Sequence, residues 1–255
     1  WLATGHYARV AHFDDHSELL RAVDTNKDQT YFLCQMPKEA LRHTLFPIGE
    51  MKKEEVRKIA LHLGLDVATK KDSTGICFIG ERNFREFLKN YLPAKSGKII
   101  DIQTKQPLGQ HQGVLYKTIG QRKRLGIGGD LGPWFVVGKD IHKNELYVAR
   151  KEDNPWLFSD QCTVSKLNWF NDLDLTSPVH VTAKFRYRQS DHPVTILTRE
   201  DGLLEVRFDH LVSSVTPGQE AVFYQGEVCL GGGVIEEVYL NDKTLDLRIT
   251  EAMHA

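Results

Sequence analysis

The fold of the carboxyl-side half is decided by a stretch that reads VTILTREDGLLEVRF over residues 194–208. Two runs rich in β-branched and apolar residues, 194–198 and 203–208, lie on either side of a polar segment that contains Asp201 and Gly202. Residues of the first kind favour strands, and a short polar segment with Gly favours a turn. The stretch therefore predicts two short strands joined by a turn.

Short β-rich runs of the same kind recur from Ile99 onward and alternate with turns that contain Gly, Pro or Asn. They cover residues 113–116, 134–139, 146–149, 180–187, 221–224 and 228–234. Such spacing is typical of small β-barrel domains. The run Gly231-Gly232-Gly233 has no Lys-Ser or Lys-Thr after it, so it predicts a bulge or a tight barrel corner rather than a phosphate loop.

The first part of the chain mixes strands and helices. Trp1-Leu2-Ala3 reads as the end of a strand that leads into Thr4-Gly5-His6. Apolar residues at helical spacing over 50–63 predict a helix that stops at Gly64. The other predicted elements are strands over 7–11 and 19–23 and a helix over 37–43.

At 255 residues the chain exceeds the roughly 100–200 residues of one domain,. The change from mixed to β-rich character predicts an α/β part over 1–92, a small mixed domain over 93–158 and a β-barrel over 159–255. The chain has 41% hydrophobic and 26% charged residues, which fits an ordinary globular protein and excludes a fibre or a wholly disordered chain,.

The sequence contains no apolar run of 18 residues and no basic and apolar leader at its start, so we expect no membrane span and no signal peptide,. Its four cysteines, Cys34, Cys77, Cys162 and Cys229, are far apart and form no CxxC pair. That spacing argues against a zinc site and against a disulfide framework. A reducing, cytoplasmic compartment is therefore expected, with no bound metal.

The net charge of −1 hides an uneven distribution. Residues 51–150 contain 19 Lys and Arg against 10 Asp and Glu, whereas residues 201–255 contain 3 against 10. The basic middle fits a surface for a polyanion such as nucleic acid. A solvated charged face explains the same count, so charge by itself leaves both readings open.

Cys77 is a candidate nucleophile because it follows Lys70, Lys71 and a run of turn residues. Cations and free backbone N–H groups stabilise a thiolate. A buried structural cysteine is the alternative, and Cys34 and Cys229 lie in apolar surroundings typical of core positions.

Two polar segments near the amino end are candidates for ligand contacts. Gly5 and His6 follow a strand end, where α/β sheets place ligands; Gly5 would let a nucleotide approach the backbone, and His6 could donate to a phosphate or ribose. Lys27, Asp28 and Gln29 combine a cation, an anion and an amide in one loop. A structural His and a solvated turn are the alternatives.

Two basic strings contain aromatic residues or glycines. In the first, glycines would let a phosphate backbone come close while Arg122, Lys123 and Arg124 neutralise it. In the second, residues 184–189, strand alternation would send Arg186 and Arg188 to one face and leave Tyr187 at the strand end for stacking on RNA. A plain surface strand or loop remains the alternative for each.

Taken together, these strings make the chain closely resemble the bacterial tRNA-specific 2-thiouridylases, also called tRNA-uridine 2-sulfurtransferases. The resemblance covers essentially all 255 residues and rests on long motifs in the family's order. They are residues 3–9, 26–33, 70–82, 118–122, 126–129, 133–137, 185–189, 215–219 and 229–233.

The resemblance implies a fold and an activity. The fold would be the carboxyl-side part of an adenine-nucleotide α-hydrolase-like, Rossmann-like α/β domain, then a small central domain, then a β-barrel. The activity would be the ATP-dependent 2-thiolation of the wobble uridine in tRNAs for Lys, Glu and Gln. ATP, with Mg²⁺, would adenylate the uracil 2-oxygen, and a cysteine persulfide would deliver sulfur to that carbon. A cysteine desulfurase or a sulfur-relay protein would supply the sulfur.

The motif match also implies roles for particular residues. Cys77 corresponds to the persulfide-carrying cysteine, helped by Lys70 or Lys71, and Gly5 to the glycine that contacts ATP. The positions that match tRNA contacts are His6, Lys27, Asp28, Gln29, Arg186, Tyr187 and Gln219. The target base must leave its stack to be reached.

The chain also departs from the family pattern. Family members open with a Ser-Gly-Gly-x-Asp-Ser pyrophosphate loop and carry an earlier nucleophilic cysteine, and neither is present in this sequence. We therefore expect this chain by itself to be inactive, and a non-catalytic tRNA-binding fragment is the alternative function. Pairing of Cys77 with the earlier cysteine stays open.

Overall fold

The computed structural model describes residues 1–70, 90–92, 95–128, 133–150 and 154–254. The chain forms two units. The first contains Trp1–Lys71, Asp160–Leu211 and Pro217–Val238, and the second contains Asp72–Ser159, Val212–Thr216 and Tyr239–Ala255. The domain boundaries predicted near residues 92 and 158 stay predictions.

The described elements are numbered in chain order. They are β1 (Leu2–Ala3), β2 (Arg9–His12), β3 (Ser17–Leu20), α1 (Thr30–Leu33), α2 (Lys38–Arg42), β4 (Thr44–Leu45), α3 (Lys53–His62), β5 (Gly97–Asp101), β6 (Pro107–His111), β7 (Trp134–Asp140), β8 (Glu145–Arg150), β9 (Phe158–Trp169), β10 (Val179–Lys184), β11 (His192–Thr198), β12 (Leu204–Ser213), β13 (Glu220–Gln225), β14 (Val228–Leu240), β15 (Lys243–Thr244) and α4 (Leu245–His254). Short 3-10 turns lie at Asp66–Thr69, Val114–Tyr116 and Pro155–Leu157.

Six strands close into a barrel in the order β13-β10-β11-β12-β9-β14, with β14 pairing back to β13. The stretch 194–208 forms the antiparallel pair β11–β12, in which Val194 lies opposite Phe208. Val194 and Ile196 on β11 and Leu204 and Val206 on β12 point inward, because side chains alternate along a strand,. The predicted carboxyl-side barrel is thereby confirmed.

The glycine run in β14 makes the predicted bulge. Phe223 pairs with Gly231 and Tyr224 with Cys229, so Leu230 has no partner on β13 and is the extra residue of the bulge. Gly231 has φ +136, and a side chain there would collide with the Asn168 carbonyl. Only glycine fits this close passage of two strands.

The amino-terminal segment of the first unit packs on the barrel strands. β1 pairs in parallel with β4, and the hairpin β2–β3 extends the sheet from β14. The helices predicted over 37–43 and 50–63 are confirmed as α2 and α3, and Gly64 ends α3 with φ +66. The shared core contains Ala8, Leu19, Tyr31, Cys34, Leu41, Phe46, Phe170, Val222, Tyr224 and Cys229.

The second unit contains a four-stranded sheet in the order β6-β5-β8-β7. β5 runs parallel to β8, and the other neighbours are antiparallel. Ile99, Val136, Leu146 and Val148 are fully buried in it. Helix α4 packs on β7 at Gly138, where a side chain would collide with Ile249.

Two predicted strands are wrong in part. In the strand predicted over 113–116, Val114–Tyr116 form a 3-10 turn instead. Gly113 before it has φ +128 and donates its N–H to the His111 ring, which takes the backbone out of the sheet. The strand predicted over 180–187 ends at Lys184, since the following residues fold into a turn.

Candidate RNA interface

Gln29 holds the strand end that carries Gly5 and His6. Its side-chain oxygen accepts a hydrogen bond from the Tyr7 N–H at 2.8 Å, and its own N–H donates to the Tyr7 carbonyl at 2.8 Å. His6 is half-buried, and its Nδ1 lies 2.8 Å from Thr4 Oγ1. Gly5 is exposed, with open space where a side chain would stand. That space fits the close approach of a nucleotide to the backbone.

The loop before α1 is built around a buried carboxylate. Asp28 is 6% exposed; one oxygen accepts from the Ala22 N–H at 3.0 Å and the other from the Thr30 hydroxyl at 2.8 Å. Lys27 beside it is half-buried, and its N–H donates to the Asp24 carbonyl. The reading of this loop as a solvated turn is wrong for Asp28, because both its oxygens satisfy groups inside the unit. Its tRNA contact stays a prediction.

The basic string after β10 is a tight turn. The Gln189 side-chain oxygen accepts from the Phe185 N–H at 3.1 Å, and the Gln189 N–H donates to the Arg186 carbonyl at 3.1 Å. Arg188 has φ +66, which no strand residue adopts,. The expected alternation of Arg186 and Arg188 on one strand face is therefore wrong. Burial lowers the pKa of the Arg186 guanidinium below its ordinary value.

Tyr31 joins this turn to the barrel. Its hydroxyl donates to the Glu220 carbonyl at 3.0 Å and faces the Phe185 carbonyl at 3.3 Å, and its ring centroid lies 6.5 Å from that of Tyr187. Burial raises the pKa of the Tyr31 hydroxyl, so it stays a donor at neutral pH. Gln219, directly before Glu220, buries its side-chain oxygen, which has no hydrogen-bond partner within the described residues.

All seven residues that match tRNA contacts therefore belong to the first unit, around α1 and the turn that follows β10. Tyr31 and Phe32 lie at the same place but were not among the site residues predicted from the sequence. The sequence shows them only as an aromatic pair directly after the polar loop Lys27-Asp28-Gln29.

The basic string that contains Arg122, Lys123 and Arg124 forms a loop in the second unit, and side-chain hydrogen bonds hold its backbone. Lys117 is a buried residue, only 5% exposed, and its ammonium group donates to the Arg124 carbonyl at 2.6 Å. The Gln121 side chain donates to the Lys123 carbonyl at 2.8 Å. Arg122, Lys123 and Arg124 are all exposed. The loop therefore exposes three cations to solvent, while side-chain hydrogen bonds from Lys117 and Gln121 fix its backbone. This arrangement is suited to phosphate contacts.

The three described cysteines are buried free thiols. Burial, and then the neighbouring Glu220 carboxylate, raise the pKa of Cys34 to about 12. Burial also raises the pKa of Cys162 and Cys229. The core positions predicted for Cys34 and Cys229 are confirmed. None of these thiols is suited to nucleophilic work at neutral pH.

The predicted persulfide carrier Cys77 and its neighbour Lys71 lie outside the described residues. Lys70 is exposed, and its carbonyl accepts from the Arg57 guanidinium at 3.2 Å. Among the described residues, no three His, Cys, Asp or Glu side chains come close enough to hold a metal ion. The helices in the described ranges are all too short or too polar to cross a membrane.

Three protein-family models match the chain in succession. They are the tRNA methyl transferase HUP domain over residues 1–81, the tRNA methyl transferase PRC-barrel domain over 85–150 and the aminomethyltransferase beta-barrel domain over 159–235. An α/β domain followed by two small barrel domains therefore defines the class of this chain. The expected fold class is confirmed.

Curated relatives give the family. The tRNA-specific 2-thiouridylase MnmA of Listeria monocytogenes is 52% identical over 246 residues, which is 96% of this chain and 66% of the relative. The proteins of the same name from Lactiplantibacillus plantarum and Bacillus subtilis are 52% and 53% identical, and the chain covers 67% and 64% of them. The chain belongs to the tRNA-specific 2-thiouridylase family. It spans about two thirds of the length of these relatives.

Proposed function

We propose that this chain takes part in the ATP-dependent 2-thiolation of the wobble uridine of tRNAs for Lys, Glu and Gln. The observation that carries the proposal is identity of about one half, across nearly the whole chain, to relatives named tRNA-specific 2-thiouridylase. The grouping of the seven motif-matched residues around α1 and the exposed cations of the second unit both support a tRNA substrate.

In the proposed reaction, bound ATP would activate the uracil, and residues of this chain would make room for the nucleotide and carry the sulfur. ATP, when bound with Mg²⁺, would supply the adenylyl group that makes the uracil 2-oxygen a leaving group. Gly5 would leave room for the nucleotide, as the open space around it supports. Cys77 would carry a persulfide whose terminal sulfur bonds to carbon 2 as the C–O bond to AMP breaks. A second thiol would then attack the Cys77 sulfur, so that the S–S bond breaks, the sulfur stays on carbon 2 and a disulfide forms. Lys70 or Lys71 would stabilise the sulfur anion of Cys77.

Elimination supports Cys77 as the sulfur carrier. Cys34, Cys162 and Cys229 are all buried with raised pKa values, so a donor protein could not reach them and they would remain protonated. The partner would be a cysteine desulfurase or a relay protein that passes on persulfide sulfur. We also propose a cytoplasmic location, because four cysteines that are far apart and form no CxxC pair are typical of proteins from a reducing compartment,.

The test is intact mass spectrometry after incubation with a cysteine desulfurase and cysteine. We expect the wild-type chain to gain one sulfur atom, about 32 Da, that a reductant removes. Cys77→Ser should not gain it, and Cys162→Ala, which alters a buried thiol, should gain it as the wild type does. A gain that persists in Cys77→Ser would show the assignment to be wrong.

A further inference from the structure

Phe32 is an exposed aromatic side chain that its neighbours hold in one orientation. Its side chain is 57% exposed. The Tyr31 ring meets it edge-on, with centroids 5.6 Å apart and planes at 87°, and the Tyr187 ring lies 4.5 Å away at 43°. A large apolar ring so exposed costs free energy unless something covers it, and the two tyrosines reduce the entropy it would lose on being covered.

The surroundings of Phe32 carry positive charge. Arg188 places its guanidinium carbon 5.4 Å from the centre of the Tyr187 ring, and Arg186 lies on the other side of Tyr187 in the chain. The guanidinium of Arg188 therefore lies beside a half-buried ring that itself contacts the exposed ring of Phe32. Unpaired nucleotides fit such a combination, because the exposed ring can stack on a base while a cation one ring away faces the phosphates.

Phe13 provides the contrast in the same unit. It is 51% exposed and stacks on the His16 ring at 4.6 Å and 10°. The residues that follow it are Asp14 and Asp15, whose carboxylates would repel phosphates. Phe13 and Phe32 are therefore exposed to a similar degree and each contacts a neighbouring ring. Carboxylates follow Phe13 in the chain, whereas arginines flank the Tyr187 ring that contacts Phe32.

We propose that Phe32 is a stacking site for an unpaired nucleobase of the bound RNA, with Tyr31 and Tyr187 holding its ring in place. The proposal rests on the proposed function, because it takes the substrate to be tRNA. It adds a residue to the contacts that the motif match implied, and it assigns that residue to a base rather than to the phosphate backbone. Base stacking tolerates any sequence, since every base has a π face.

The experiment compares leucine substitutions of the two phenylalanines. Leucine keeps apolar bulk and removes the π face, so Phe32→Leu should fold and Phe13→Leu is its matched control. Binding of the 255-residue chain is measured by fluorescence anisotropy at several salt concentrations. The probes are a labelled RNA hairpin with an unpaired loop and a fully paired duplex of the same length. Phe32→Trp, which keeps a π face, should bind as the wild type does.

We expect Phe32→Leu to weaken hairpin binding about 5- to 150-fold, with an unchanged salt slope and no effect on the duplex. Phe13→Leu should change neither. Wild-type affinity in Phe32→Leu, or equal losses for hairpin and duplex, would overturn the stacking site and leave the proposed function standing. A wild-type chain that binds no RNA even at low salt would overturn both.

Discussion

The turn at residues 185–189 and the loop at residues 120–128 are both basic, and in each a glutamine side chain forms a hydrogen bond with the backbone. Gln189 holds the first through the Phe185 N–H, and Gln121 holds the second through the Lys123 carbonyl. The two segments differ in how far their basic side chains are exposed. Arg186 is half-buried beside aromatic rings, whereas Arg122 and its two neighbours stand in solvent.

This difference shows that a basic string in a sequence does not by itself specify the kind of contact. Exposed cations on a held backbone interact with phosphates through charge, so their contribution depends on salt. In the turn at residues 185–189, the half-buried Arg186 and the packed rings contribute through shape and stacking, which salt changes little, while the exposed Arg188 adds a salt-dependent contribution,. Of the four predictions that follow, two concern each unit, and those on Gln189 and Lys123 test this contrast directly.

The largest effect is expected from Asp28→Ala, which removes a buried acceptor from the loop before α1. Ala22 N–H and the Thr30 hydroxyl would both lose their partner, so we expect the free energy of unfolding to fall by about 3 kcal/mol,. Urea denaturation measures it. Asp15→Ala, on an exposed side chain, is the control and should change stability by less than about 0.5 kcal/mol,. Unchanged stability in Asp28→Ala, with lost tRNA binding, would instead make Asp28 a direct contact.

A smaller loss of stability is expected when the side chain that holds the turn at residues 185–189 is removed. Gln189→Ala leaves the Phe185 N–H without its acceptor, which should cost about 1 kcal/mol and speed amide exchange at Phe185,. Gln189→Glu keeps an acceptor and should restore slow exchange. If Gln189→Ala leaves the exchange of this amide unchanged, the side chain does not hold the turn.

A fall in pH should lower the free energy of unfolding of the second unit, which carries the exposed Arg122, Lys123 and Arg124. The His111 Nδ1 accepts from the Gly113 N–H at 3.1 Å, so its Nε2–H donates to the Asn144 carbonyl at 3.2 Å. Burial lowers the pKa of His111 below its ordinary 6.5, so the folded state favours the neutral ring. This stabilisation is complete above about pH 6.5 and declines as the pH falls through the folded pKa.

Thermal unfolding of the wild type and of His111→Gln between pH 7.5 and pH 5 checks this sign. The advantage of the wild type over the variant should shrink as the pH falls. A constant difference across that range would show that His111 does not titrate during unfolding.

The smallest effect on stability is expected from Lys123→Ala, which removes one exposed cation of the loop. Stability should change by less than about 0.5 kcal/mol, while the slope of log affinity against log salt should fall by roughly 0.7–0.9. The same anisotropy titration measures it. An unchanged slope would mean that Lys123 makes no phosphate contact, and the contrast between the two basic strings would lose its physical basis.

Local patterns predicted most elements well and failed at particular residues. The helix at 50–63 and the strand pair at 194–208 both follow from periodicity. The strand pair buries one face, whereas no residue of α3 is buried, so the apolar spacing predicted the helix but not its burial. The strand predicted to continue to Tyr187 ends earlier, because the Gln189 side chain accepts a hydrogen bond from the Phe185 N–H and closes a turn. The β propensity of single residues carries no information about such a contact. Asp28 looks like any loop carboxylate until its two internal donors are located.

The sequence by itself determined the family, the β-barrel and the residues that match the tRNA and ATP positions, because motif order and strand periodicity are properties of the chain read linearly. The tertiary structure alone decided which of those residues meet. Tyr31 contacts a turn and a strand about 150 and 190 residues away in the chain. Burial, partner and orientation depend on such long-range packing, so the braced ring of Phe32 and the internal role of Asp28 follow from the fold and not from the local sequence.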